Sequence, residues 1–98
     1  MKYTEDYRIT NFEEVKDFFN YLINERNCNF YPTDDLKDYA INKDGVQVFT
    51  DSEVICFNRL VDECFDVCTR LGEDAHDVCM EIVYKKSCIE IPLKELLN

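Results

Sequence analysis

Between Thr50 and Leu71 the apolar residues Val54, Phe57, Val61, Cys64, Cys68 and Leu71 return at spacings of 3, 4, 3, 4 and 3. An α-helix gathers such positions on one face, whereas a strand would divide them between two. The spacing therefore predicts one long helix with an apolar seam of nearly three heptads. Thr50 followed by Glu53 has the form of a capping box, which starts the helix. Gly72 stands where a left-handed C′ residue would end it. The seam is too short for an autonomous coiled coil, so its apolar side must be covered by the rest of the chain.

A second amphipathic stretch runs from Asn11 to Asn27. Phe12, Val15, Phe18, Phe19, Leu22 and Ile23 share one helical face. Thr10 or Asn11 can cap it. Glu13 and Glu14 lie in the first turn and Arg26 near the other end, the signs that the helix dipole favours. Only 2 Gly and 2 Pro occur in 98 residues, so long elements and few turns are expected.

Between these two helices the pattern is weaker. Pro32 disfavours helix at Tyr31. Thr33 or Asp34 then caps a short helix carrying Leu36, Tyr39 and Ala40. Lys43-Asp44-Gly45 reads as a turn, and Val46-Gln47-Val48-Phe49 as a short strand or extended chain. After Gly72, the segment from Glu73 to Lys86 has two readings. As a helix it places Ala75, Val78, Cys79, Ile82 and Val83 on one face, with Glu73 and Asp74 at its start and Lys85 and Lys86 at its end. As a strand it alternates, and Lys85-Lys86-Ser87 turns it into Cys88-Ile89-Glu90-Ile91. Helix is favoured, because the charges match the dipole. An extended piece is expected before Pro92, and Leu93, Leu96 and Leu97 form an apolar tail suited to docking on the core.

The expected fold is thus mainly α, one small domain over residues 1–98. Helix Asn11–Asn27 and an αα-hairpin spanning Ser52–Lys86 share a core, with a minor β element from Val46–Phe49 and Cys88–Ile91. The alternative is α+β, with a C-terminal β-hairpin.

Charge narrows the function. With 21 acidic and 11 basic residues the net charge is −10. Direct binding to nucleic acid is disfavoured, since affinity there depends on Lys and Arg neutralising phosphates; anionic membranes are disfavoured for the same reason. A basic protein partner fits better. The polar, acidic start Met1-Lys2-Tyr3-Thr4-Glu5-Asp6 lacks the form of a signal peptide, and no apolar run approaches the roughly 20 residues that span a bilayer. The cytoplasm is the expected location, where Cys28, Cys56, Cys64, Cys68, Cys79 and Cys88 would be reduced and mostly packed in the core.

Four constellations bear on chemistry. Cys64 and Cys68 lie four apart on one predicted helix, and His76 and Cys79 three apart on the next. An αα-hairpin could unite them as a three-Cys, one-His zinc site, although Cys64 and Cys68 already serve the apolar seam. Asn42-Lys43-Asp44-Gly45 resembles part of a calcium loop, but its first position would be Ala40, where the pattern needs Asp. For catalysis, His76 is the sole histidine, and no nucleophile elbow, phosphate loop or zinc-protease motif accompanies it. No catalytic residue and no cofactor are expected. Lastly, Asp34, Asp35 and Asp38 form one acidic cluster, and Asp62, Glu63, Asp66, Glu73, Asp74 and Asp77 another. Such a row could meet a basic partner or imitate a phosphate backbone, although charged residues also populate any solvated helix face.

The runs Phe30-Tyr31-Pro32-Thr33-Asp34-Asp35, Phe49-Thr50-Asp51-Ser52-Glu53 and Asn58-Arg59-Leu60-Val61-Asp62-Glu63-Cys64-Phe65-Asp66-Val67-Cys68 resemble small uncharacterised bacterial proteins carried on mobile elements. The resemblance implies an accessory protein and transfers no activity and no site residue. The leading expectation is a protein-binding or regulatory accessory module, which could also pair as a homodimer. The alternatives are a DNA-mimic inhibitor of a nucleic-acid-binding protein and a zinc-stabilised small domain.

Overall fold

The computed structural model describes residues 3–90, with side chains through Lys86. Three helices dominate: α1 (Phe12–Asn20), α2 (Asp51–Leu71) and α3 (Ala75–Glu90). A π-helical turn, Tyr21–Glu25, extends α1, and a 3-10 turn, Leu36–Tyr39, sits in the connection to α2. The protein is a small, mainly helical domain, and no described helix is long and apolar enough to cross a membrane.

Local chemistry sets the helix ends. The Asn11 side chain accepts the Glu14 N–H at 2.9 Å and starts α1. Thr50 and Glu53 form the reciprocal box: Glu53 N–H donates to Thr50 Oγ1 at 3.1 Å, and Thr50 N–H donates to Glu53 Oε1 at 2.9 Å. At the far end of α2, Gly72 takes φ 73°, and Glu73 N–H donates back to the Cys68 carbonyl at 2.8 Å. That 6→1 closure satisfies carbonyls the helix leaves open. Asp74 then starts α3 by accepting the His76 N–H at 2.8 Å.

The expected helix Asn11–Asn27 spans α1 and the π-helical turn. Arg26 N–H reaches the Tyr21 carbonyl at 3.0 Å, and Cys28 N–H reaches that of Leu22 at 2.9 Å. Between them Asn27 adopts φ 54°, the left-handed conformation that ends helices.

The core is largely aromatic. Phe18, Phe19, Phe49 and Phe57 are fully buried and meet in edge-on pairs, Phe18 with Phe57 at 5.8 Å, Phe49 with Phe57 at 5.8 Å and Phe19 with Phe30 at 5.4 Å. Along the seam of α2, Phe57, Val61, Cys64 and Cys68 are buried. Cys56, Leu60 and Val67 are buried beside them, while Leu71 is 55% exposed. The buried stripe is thus wider than a two-residue seam, as suits a helix covered on several sides. Tyr31 lies outside, although its neighbour Phe30 is buried. α3 packs against α1 and the π-helical turn as well as against α2. Lys86 holds it there, donating to the Ile23 carbonyl at 2.8 Å and to Asn27 Oδ1 at 3.2 Å, where α1 presents the negative end of its dipole.

Several expectations need correction. Val46–Phe49 is not a strand: the pairing is one antiparallel bridge between Ile41 and Gln47. The Asn42 side chain spends its oxygen inside this turn, accepting the N–H groups of Asp44 and Val46, so the Val46 N–H closes the turn instead of extending a ladder. Cys88-Ile89-Glu90 is not extended but continues α3, because nothing before Pro92 breaks the helix. The C-terminal β-hairpin is thereby excluded. The short connecting turn is capped by Asp35, which accepts the Lys37 N–H at 2.9 Å, rather than by Thr33 or Asp34. Ile91 and the tail with Leu93, Leu96 and Leu97 lie outside the described residues.

Candidate functional site

The two acidic clusters, separate in sequence, adjoin in space. Asn58 joins them. From the third turn of α2 its Oδ1 accepts the Leu36 N–H at 2.9 Å, and its Nδ2 donates to Asp35 Oδ1 at 2.8 Å. The loop is further fixed by buried Pro32 and Leu36. Asp34, Asp35 and Asp62 thus border one open groove of about 420 Å³, with Val61 and the Phe65 ring on the α2 side. Asp66 follows Asp62 by one helical turn and is exposed.

These carboxylates are not equivalent. Asp35 accepts the Lys37 N–H and the Asn58 amide, which hold its carboxyl below the usual range. Asp34 accepts the Tyr39 hydroxyl at 2.5 Å. Burial, helped by that hydrogen bond, pushes the Tyr39 phenol up to about 12, so it stays a donor at neutral pH. Asp38 is exposed on the same turn. Asp62 and Asp66 present exposed carboxylates from the surface of α2.

Glu63 departs from the row. Its Oε1 accepts the Ile9 N–H at 2.8 Å and its Oε2 the Arg59 guanidinium at 2.5 Å, with Arg8 at 4.0 Å. It fastens the chain before α1 to α2 and is withdrawn from the groove. Glu73, Asp74 and Asp77 cluster instead at the α2–α3 junction. Asp74 is engaged as the cap of α3 and lies 3.6 Å from His76 Nδ1.

The zinc set is not assembled. Cys64, Cys68 and Cys79 are buried, and the Cys79 thiol donates to the Phe30 carbonyl at 3.3 Å. The His76 ring stands edge-on to Phe65 at 5.8 Å. Among the described residues no group of three or more His, Cys, Asp or Glu is placed to hold a metal ion. Burial pushes the Cys79 thiol up to about 11 and raises those of Cys64 and Cys68 as well. This favours the neutral thiol, whereas a metal ligand must be a thiolate. The five described cysteines, Cys28, Cys56, Cys64, Cys68 and Cys79, carry free thiols.

Residue-by-residue reading missed Asn58. It sits four residues before Asp62, on the same helical face, and a lone amide in the sequence gives no local sign that it clamps a loop 22 residues away. The groove offers convergent acceptors beside an aromatic edge and no nucleophile paired with a base. Carboxylate oxygens and an aromatic ring are the chemical complement of cationic groups. No family model, no curated protein and no solved structure matches the chain.

Proposed function

We propose that the protein is a protein-binding accessory module that presents the Asp34–Asp35–Asp62 groove to a basic surface of its partner. The observation that carries this reading is the Asn58 clamp, which sets two acidic clusters against one another across a groove with the Phe65 ring at its wall. Lys and Arg side chains are its chemical complement, and Arg can also lie on an aromatic ring. The net charge of −10 would steer such a partner in from a distance. The accessory role implied by the likeness of residues 30–68 to small mobile-element proteins, and a cytoplasmic location, belong to the same proposal. Imitation of DNA is the weaker reading: with Glu63 turned to Ile9 and Arg59, the carboxylate row along α2 is interrupted.

The test compares partners retained by the native chain with those retained by the double variant Asp62→Lys, Asp66→Lys, across a salt series. Each substitution reverses a charge on the exposed face of α2 and removes no side-chain hydrogen bond among the described residues. Loss of one specific partner, whose binding to the native chain weakens with salt, is the expected result. Unchanged retention at every salt concentration would refute the assignment of this face.

A further inference from the structure

Residues 3–10 reach α1 as an irregular strap laid over the helices. Two side chains bury themselves, Tyr3 and Ile9, at 4% and 5% exposure. The Tyr3 ring lies against Phe18 at 5.0 Å and Tyr21 at 4.9 Å. Between these anchors Thr4, Glu5, Asp6 and Arg8 are exposed.

From Thr4 to Thr10, the hydrogen bonds between the strap and the described helices all involve side chains. Arg59 donates to the carbonyls of Glu5 at 3.0 Å and Thr4 at 3.4 Å. Glu63 accepts the Ile9 N–H at 2.8 Å, and Glu14 accepts the Thr10 N–H at 2.8 Å and the Tyr7 hydroxyl at 3.2 Å. The Cys56 thiol donates to the Thr4 carbonyl at 3.5 Å. The backbone bond from Tyr7 N–H to the Thr4 carbonyl is internal to the strap. A segment anchored by Tyr3 and Ile9, with half-buried Tyr7 against the Tyr3 ring at 5.0 Å, and tied by partly solvated polar links opens at a lower free energy than helices sharing a common core. An open pocket of about 240 Å³, bordered by Tyr3, Thr4, Cys56 and Phe57, lies at its edge.

We propose that residues 3–10 form a detachable strap, latched by Arg59 and Glu63, that opens as a unit ahead of global unfolding and uncovers Cys56 and the ring faces of Phe18 and Tyr21. Arg59 and Glu63 hold each other as well as the strap, so the latch is one charge-assisted unit. Opening leaves α1, α2 and α3 packed on one another. It removes the Thr4 carbonyl from the Cys56 thiol and lifts Tyr3 from the aromatic face.

The test is alkylation of the full chain with iodoacetamide, read separately at each cysteine by peptide mass spectrometry, with amide exchange followed in parallel. In the native protein Cys56 is expected to label ahead of Cys28, Cys64 and Cys79. Removing the latch by Glu63→Ala, or independently by Arg59→Ala, should raise Cys56 labelling and strap amide exchange by roughly tenfold, the size of one charge-assisted hydrogen bond. Cys28 and Cys79 should keep their native rates. The proposal is overturned if all cysteines accelerate together in Arg59→Ala, or if neither variant changes Cys56. Should Glu63→Ala fail to fold, Arg59→Ala and the labelling order of the native protein decide.

Discussion

Arg26 ties the end of the first helix to α2 through both arms of its guanidinium fork. Its Nη1 donates to Glu53 Oε2 at 2.7 Å and to the Tyr21 hydroxyl at 3.2 Å; its Nη2 donates to the Val48 carbonyl at 2.6 Å and to Glu53 Oε1 at 3.2 Å. The guanidinium also lies over Phe49, 4.7 Å from the ring centroid. About a fifth of each partner's side chain is exposed, 21% for Arg26 and 18% for Glu53. Arg26→Ala removes a two-pronged ion pair, a stacked cation and the donor to Val48. Hydrogen bonds to charged groups contribute about 1.5–3 kcal/mol net, and a partly desolvated cation–π contact adds roughly 1 kcal/mol. Discounting for the exposed fifth and for water reaching Glu53 afterwards, the expected loss is about 3 kcal/mol. For a domain of this size that lowers the melting temperature by roughly 12–24 °C. Urea unfolding followed by far-ultraviolet circular dichroism measures it, and a double-mutant cycle with Glu53→Gln isolates the pair. A loss under about 1 kcal/mol, the range of exposed surface pairs, would refute the reading of Arg26 as a cross-link between the first helix and α2.

Asn58→Ala should free the Leu36 N–H and Asp35 together, costing about 1–2 kcal/mol; faster amide exchange across residues 33–39, with α3 unchanged, is the signature. The carboxyls of Glu14 and Glu53 are held below their ordinary value of 4.5, the first by Thr10 and the second by Arg26. Their stabilisation is therefore complete above that value and lost as pH falls through the lower, folded one. Urea midpoints should drop below about pH 4 and drop less in Glu53→Gln. Gly72→Ala meets no neighbouring atom, yet must hold φ 73°. A loss of about 1 kcal/mol, from the backbone alone, is expected in the same unfolding assay.

How far the sequence foretold this molecule depends on the range of the interaction. α1 and α2 were legible because periodicity and capping are written within a few residues: Asn11, the Thr50–Glu53 pair and Gly72 each do what their positions suggest. The extent of α3 was not, because apolar residues surround it and two periods fit equally well. Asp35 is chosen over Thr33 and Asp34 as a cap by Asn58, 23 residues on. Arg26 reads locally as a cation favouring a helix end, but its partner lies 27 residues away. The acidic clusters were visible as composition, while their meeting across a groove, and the withdrawal of Glu63 from the row, are products of packing. The five described cysteines, Cys28, Cys56, Cys64, Cys68 and Cys79, are core residues as expected, since a buried thiol needs only space.

The π-helical turn Tyr21–Glu25 has one further consequence. In an α-helix each residue advances about 100° around the axis; a wider turn advances less, so everything after it is rotated relative to α1. That change of phase aims Arg26 at Glu53 while Leu22 and Ile23 stay buried in the core. Deleting one residue there would restore an unbroken spiral and swing the guanidinium away from α2. The turn thus acts as a one-residue insertion in the spiral, while its Leu22 and Ile23 side chains fill the core and its Tyr21 hydroxyl accepts from Arg26.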